Sequence, residues 1–411
     1  MNRETHQTEE GILDRIRPCF VGTFIIFLVT FAVVYLSLGM ATGSDYAVHS
    51  NWAMQLGYHL WSFMKNTISY PAWHFVTKAL FKLFSFSEVG CAAIATALFN
   101  CFAYWCILYV WNFLARIPCQ MKDRAFWGVV LLVVGPLWIP GINLNYYYGQ
   151  GGGNVWHSPT HIAVKGLAIL CFVYIIRLLE EKEKISKKQY ILLSAVLFAS
   201  ALAKPSFLQA MIPGLGLYFI LVLIRDGWKK NIVRFVTVAS AFVPSVCLLA
   251  VQFVQNFYSD TMIHEASGIG IEYGKFLHLF SPNLFYSFVM AFAFPLFVLA
   301  MDFKRLWKET PVQVAGCYGL CSWLEAAFLY EKGVRWDHGN WTWGYNLAQL
   351  VLWVLFTVRF FDLIQEEGIS RRKRNLCLFV GMPLLFLHLF FGFVWWCNLL
   401  KGVGLLYYRN D

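Results

Sequence analysis

The chain has 411 residues, of which 59% are hydrophobic, 18% aromatic and only 14% charged. A water-soluble domain of this length carries about a quarter charged residues, so these proportions exclude one and put most of the chain in lipid. The net charge of +10 would suit a nucleic-acid binder, but the placement of the basic residues excludes that reading as well.

Apolar runs long enough to cross a bilayer recur from end to end. In chain order they predict helices at 20–40, 88–114, 126–142, 160–179, 190–203, 206–224, 233–255, 282–301, 312–330, 341–360 and 376–399. This is an all-α, polytopic membrane protein with about eleven transmembrane helices. It forms a single membrane domain over 1–411, with no hydrophilic stretch long enough for a separate soluble domain. The first run is too long for the apolar core of a cleavable signal peptide. The short run 190–203 ends at Lys204-Pro205, where the chain re-enters at once. No pair of glycine- or proline-broken spans recurs in two halves, as it does in many transporters. The eleven cysteines are scattered, mostly inside apolar runs and without a CxxC pair, which makes them packing residues.

Basic residues set the orientation. With Arg3, Arg15 and Arg17 in the cytoplasm, the connections holding Arg116/Lys122/Arg124, Lys182/Lys184/Lys187/Lys188, Arg225/Lys229/Lys230, Lys304/Arg305/Lys308 and Arg371 to Arg374 fall inside. They read as plain lysine and arginine anchors. The N-terminus is then cytoplasmic and the C-terminus outside, in a membrane expected to be a bacterial plasma membrane rather than the endoplasmic reticulum. Eight of the ten histidines fall outside, with Asp45, Asp260, Glu265, Glu272, Glu331 and Asp337. Clustered titratable groups point to a site.

The outer loops are 41–87, 143–160, 257–281 and 331–340. In the first, Asp45 follows the first span and His49 lies one helical turn on, so a helix capped near Ser44 or Asp45 presents both on one face. A carboxylate beside histidines at the membrane surface can serve as a general base. Then comes ISYPAWHFVTKALFKLFSF. Pro71 suits a helix start, apolar residues recur at helical spacing, and Lys78 and Lys82 share the other side. The pattern predicts an amphipathic helix lying in the interface, carrying His74.

In the second outer loop, NYYYGQGGGNVWHSPTHIAVK, Ser158-Pro159 reads as cap and first residue of the next helix. Glycine-rich backbone running into a helix N-terminus makes an anion site. Its candidate residues are Gly151, Gly152, His157, His161 and Lys165, with Tyr148 and Trp156 as rings for a sugar. A lysine as deep as Lys165 either snorkels or pairs with an anion in the bundle. Lys204 is either a snorkelling anchor or a second phosphate contact. The loop 258–278, with Asp260, His264, Glu265, Glu272 and His278, is either solvated and mobile or an acceptor-binding flap. In YEKGVRWDHGNWTWGYN, the residues Glu331, Arg335, Asp337 and His338 precede Trp341, Trp343 and Tyr345, and carboxylates beside rings suit a sugar. His388 lies mid-span and reads as a hydrogen-bonded core residue.

One span, then Asp45-Tyr46-x-x-His49, then a helix starting near Tyr70-Pro71, resembles the opening of the GT-C fold glycosyltransferases. The pattern covers residues 20–90, and the remainder agrees in span number alone. The resemblance implies an integral membrane enzyme that moves a sugar, with inversion, from a polyprenyl-phosphate-linked donor to a hydroxyl acceptor on a glycan or lipid at the outer face. It implies that Asp45 is the catalytic base and that Lys204 holds the carrier phosphate. Where many members carry paired acidic residues, this chain has Ser44-Asp45, which leaves a divalent metal open. No nucleic acid is expected as a partner. The other readings of the sequence are a transporter or flippase of lipid-linked saccharides, and a membrane acyltransferase working through its histidines. A glycan polymerase or ligase would want a large basic outer loop, which the sequence lacks.

Overall fold

The computed structural model describes residues 12–39, 45–57, 59–139, 149–181, 183–258 and 268–400. Its first long helix, α1 (Ile12–Gly39), is followed by three shorter ones: α2 (Asp45–Gln55), α3 (Leu60–Asn66) and α4 (Ala72–Phe84). Next come α5 (Glu88–Leu114), α6 (Met121–Leu131), α7 (Pro159–Glu180), α8 (Lys187–Ala203) and α9 (Ser206–Asp226). Helices α10 (Trp228–Ser240) and α11 (Val243–Tyr258) form a pair bent by 46°. The chain continues through β1 (Ile269–Ile271), α12 (Leu284–Met301), α13 (Phe303–Leu306), α14 (Thr310–Phe328) and β2 (Leu329–Glu331). It closes with α15 (Thr342–Gln365), α16 (Arg371–Leu376), one π-helical turn and α17 (Met382–Leu400).

Among the described residues, seven helices are long and apolar enough to cross a membrane, or eight if the bent pair is one span. Large side chains such as Phe24, Ile224 and Phe379 are more than three-fifths exposed on their outer surfaces. So wide an apolar surface belongs against lipid rather than water. The protein is therefore built as an integral membrane protein. Helices α5, α7 and α15 form its most enclosed part, and small residues such as Ala92, Ala93, Ala163 and Ala168 let the helices approach closely.

The predicted span 126–142 differs in kind. Its helix, α6, stops at Leu131, and the chain runs on without helical structure to 139. Gly135-Pro136 explains the stop, because proline has no N–H to donate and disfavours helix in the residue before it. Non-helical backbone at this depth must find protein partners. Gly135 N–H donates to the His388 carbonyl at 3.1 Å, and Leu137 N–H to the Met290 carbonyl at 3.0 Å. The His388 ring donates back through Nδ1 to the Gly135 carbonyl at 2.7 Å, so His388 is a hydrogen-bonded core residue as expected. Gly392 packs directly on this segment, and a Cβ there would collide with the Val133 carbonyl and lie 2.7 Å from Gly135 N. Gly392→Ala should therefore destabilise the protein by about 1–3 kcal/mol, the usual range for overpacking. Thermal unfolding in detergent checks this, and an unchanged midpoint would mean that α17 can slide away freely.

Two short strands depart from the all-α expectation. β1 and β2 pair antiparallel, with Gly270 opposite Tyr330. This ribbon ties the segment after 267 to the loop after α14, and holds Phe276, Leu277 and Phe280 beside the cavity described below. The part of the predicted mobile loop that follows residue 267 is thus a folded wall, whereas Asp260, His264 and Glu265 lie outside the described residues.

The far ends of the helices carry a charge cluster rather than plain anchors. Arg359, 5% exposed, bonds Glu309 at 2.7 Å and Asp362 at 3.0 Å, and also donates to the Leu114 carbonyl. Asp362 accepts the backbone N–H groups of Arg116 and Ile117 at 3.0 and 3.1 Å, and Arg116 also pairs with Glu309. The network joins the end of α5, the start of α14 and the last turns of α15. It lies about 24 Å along α15 from Trp343, at 1.5 Å rise per residue over sixteen residues.

Candidate functional site

At the opposite end of the bundle from this network, a cavity of about 440 Å³ opens between α2, the segment before α7, the α8–α9 junction and the start of α15. That volume lies within the range of small-molecule sites, roughly 300–1,000 Å³. Its chemically active lining is Asp45, His49, His157, Lys204, Asp337 and His338, with the rings of Trp52, Tyr70 and Trp343.

Each of these side chains is set by a nameable feature. Asp45 is the first residue of α2, and its backbone N–H donates to the His157 carbonyl at 3.2 Å, which docks the first polar loop on the second. His49 follows one turn later on the same helix. Its Nδ1 lies 2.9 Å from Nε2 of His74 on α4, in an imidazole–imidazole hydrogen bond packed among Trp52, Phe63 and Trp73. Lys204 stands in the break between α8 and α9. Its amine donates to Thr160 Oγ1 at 3.2 Å and Ser158 Oγ at 3.4 Å, and sits 3.7 Å above the centre of the Trp343 ring. Ser158 is the residue before α7, but its side chain serves Lys204 and makes no cap bond.

Burial shapes the protonation states. Lys204 is pushed down to about 7 by desolvation, with Asp45 opposing the fall. His157 is lowered by burial, with Asp45 raising it and Lys204 lowering it. Burial holds His49 well below the ordinary range, helped by His74 and Lys204, and it pushes His74 down to about 3. Both rings of the pair are thus neutral in the folded protein. The unfolded chain protonates them below about pH 6.5, so their cost to stability is absent above that pH and grows as pH falls from 6.5 towards 3. The melting temperature should decline across that window, and less steeply in a His49→Gln/His74→Leu double variant. An equal slope in the variant would show that other groups set the acid limit.

No protein-family model matches this chain, and no curated protein sequence matches it significantly. The geometry of the site is therefore the basis for its reading.

Among the residues singled out from the sequence, Asp45, His49, Gly151, His157, Lys204, Asp337 and His338 line the main cavity. His74 stands behind His49. Glu331, Arg335 and Trp341 line a smaller side cavity that meets the main one at Lys204, Tyr70, Asn340 and Trp343. There Glu331 is held by Arg335 at 2.6 Å, so the acidic-aromatic loop serves two compartments. Gly152, Trp156, His161 and Lys165 line neither. Tyr148 lies outside the described residues.

The glycine-rich stretch turns much of its hydrogen bonding into the protein. Gly152 N–H donates to Asn346 Oδ1 at 3.1 Å, and Gln349 Nε2 donates to the Gln150 carbonyl at 2.9 Å. Gly151 has φ +67°, and a Cβ there would lie 2.6 Å from Asn346 Oδ1, so glycine is required by both conformation and space. Asn154 donates to the Leu131 and Val134 carbonyls that α6 leaves open. Lys165, wholly buried, gives its amine to Asn154 Oδ1 at 3.1 Å and lies 5.5 Å from the Trp156 ring. A neutral amide thus stands where the sequence reading put an anion for Lys165.

Trp52, Tyr70 and Asn346 were not singled out from the sequence, and Trp343 was noted only as one ring in an aromatic run. The signal for Trp343 and Asn346 is their three-residue spacing, which puts both on one face once a helix start at Thr342 is recognised. Among the described residues, no group of three His, Cys, Asp or Glu is arranged to hold a metal.

Proposed function

We propose that this protein is a membrane glycosyltransferase of the GT-C type. It moves a sugar from a polyprenyl-phosphate-linked donor to a hydroxyl acceptor at the outer face of a bacterial plasma membrane, with inversion. The observation that carries the reading is the shared cavity of Asp45 and Lys204, a carboxylate and an amine from distant parts of the chain, walled by aromatic rings. In this reading eleven spans put the N-terminus in the cytoplasm and the C-terminus outside. Helix α4 then lies in the outer interface, with Phe75, Leu83 and Phe84 turned outward.

Asp45 takes the proton from the acceptor hydroxyl as its oxygen attacks the anomeric carbon. The bond from that carbon to the phosphate oxygen breaks, and the phosphate leaves with the electron pair. The protonated Lys204 amine balances the charge that develops there. Lys204 must carry its proton for this, so transfer should weaken as pH rises above about 7. Trp52 supplies a flat face for the apolar side of a sugar ring, Trp343 holds the Lys204 amine over its own ring, and Asp337 and His338 supply polar contacts at the exposed rim.

The test is mass spectrometry of lipids extracted from cells with and without the protein. Loss of the protein should build up a polyprenyl-phosphate monosaccharide, and a surface glycan should lack that sugar. Unchanged lipids and glycans, together with ion-coupled uptake into vesicles, would replace the enzyme by a transporter.

A further inference from the structure

A neutral imidazole carries one N–H and one bare nitrogen, so a hydrogen bond between two of them runs in a definite direction. His49 Nδ1 and His74 Nε2 stand 2.9 Å apart. If His74 donates, each ring carries its proton on Nε2. If His49 donates, each carries it on Nδ1.

The surroundings favour the first arrangement. His74 Nδ1 is sealed from solvent and has no hydrogen-bond partner among the described residues. In the second arrangement that atom would be a buried N–H with nothing to accept it, and orphaned N–H groups are rarer in proteins than under-satisfied acceptors. The first arrangement also gives both rings the Nε2–H form, which is the intrinsically favoured tautomer of a neutral histidine side chain. The second gives both rings the other form.

His49 is held in place by Trp52 and Trp73, whose rings stand edge-on to it at 5.1 and 6.3 Å between centres. It lines the main cavity, and its Nδ1 is spent on His74. Nε2 is therefore the ring nitrogen left to a ligand. It makes no hydrogen bond among the described residues, and it is not sealed as His74 Nδ1 is. Asp45 lies one turn back on the same helix and lines the same cavity. At that spacing two side chains start about 5–6 Å apart. An ionised carboxylate only accepts, and an Nε2–H only donates. Together they match two neighbouring hydroxyls, one giving its hydrogen to Asp45 and the other accepting from His49.

We infer that His49 is the main cavity's hydrogen-bond donor to a hydroxyl oxygen beside the hydroxyl that Asp45 deprotonates, and that His74 positions it by fixing its tautomer. His49 then takes no proton itself, because its bare nitrogen is occupied by His74. The ligand class that follows is a polyol with neighbouring hydroxyls, and a site that bonds one of them rejects the analogue lacking it. The inference rests on the transferase reading only for the identity of this polyol as the acceptor. The direction of the histidine bond is independent of it.

The test begins with the purified full-length protein in detergent, labelled with ring-¹⁵N histidine and assigned with a His49→Gln variant. His49 is expected to show a bare Nδ1 and a protonated Nε2. The reverse pattern overturns the proposal and makes His49 a base. In His74→Leu, or in His74→Ala should the first not fold, the two His49 nitrogen signals should move towards one another as the proton redistributes. Unchanged signals there overturn the positioning role of His74. Transfer is then compared through donor-lipid levels in cells lacking the protein and supplied with each variant. His49→Leu should slow transfer roughly tenfold, the scale of one hydrogen bond with its partner left unsatisfied. His49→Gln, whose side-chain amide places an N–H near the Nε2 position, should recover most of that loss. Equal loss in the two overturns the donor role. A protonated Nε2 with no donor-lipid build-up in cells lacking the protein sinks the transferase reading and leaves the tautomer assignment standing. Donor-lipid build-up with a bare Nε2 does the opposite.

Discussion

Asp45→Asn is expected to lower sugar transfer by about 10²–10⁴-fold, the usual contribution of a positioned general base. The substitution keeps the shape and removes the charge that accepts the proton. The backbone N–H of Asp45, which bonds the His157 carbonyl, is untouched, so the docking of the two loops survives. The variant should therefore insert and melt like the wild type while donor lipid accumulates. Asp45→Glu should recover part of the activity, because the carboxylate is present but displaced by one methylene. An Asp45→Asn protein that is inserted, folded and within threefold of wild-type transfer would show that the base lies elsewhere, with His157 and Asp337 the next groups on the cavity wall.

Arg359→Met is expected to cost about 3–5 kcal/mol, the scale measured when one partner of a buried ion pair is removed. Methionine leaves Glu309 and Asp362 without the guanidinium that now bonds both. It also strips a donor from the Leu114 carbonyl. Arg359→Lys should fall between the two, because a single ammonium cannot span two carboxylates and a carbonyl as a planar fork does. The measurement is the denaturant or thermal midpoint of purified protein, together with its yield in membranes. A loss below about 1 kcal/mol would mean that Arg116, which also reaches Glu309, is sufficient alone. The cavity lies at the other end of α15, so any Arg359→Met protein that does fold should retain its sugar transfer. These two substitutions therefore separate chemistry at one end of the bundle from cohesion at the other.

The membrane class of this protein was legible from 59% hydrophobic and 14% charged residues, because a bilayer core admits helices made of long apolar runs and little else. Every run predicted to span carries a helix, with the largest change of form at 126–142, where Gly135-Pro136 ends it early. Asp45, His49, His157, Asp337 and His338 stood out because polar residues are few and clustered in the outer loops, and Lys204 because it breaks an apolar run beside a proline. What sequence spacing alone did not separate was which of them meet. Lys165 and Lys204 look alike as lysines in apolar surroundings, yet Lys165 is turned onto Asn154 away from both cavities, whereas Lys204, held by Thr160 and Ser158, lines both. Gly151 and Gly152 both read as parts of a ligand cradle, and Gly151 does line the cavity, whereas the Gly152 N–H is taken by Asn346, nearly two hundred residues away. Arg359 sits at the end of an apolar run and signals nothing until Glu309 and Asp362 are folded against it. The sequence by itself determined which segments enter lipid, since that depends on local composition. The tertiary structure decided which polar groups are satisfied and which remain available, because hydrogen-bond partners and desolvation come from residues distant in the chain.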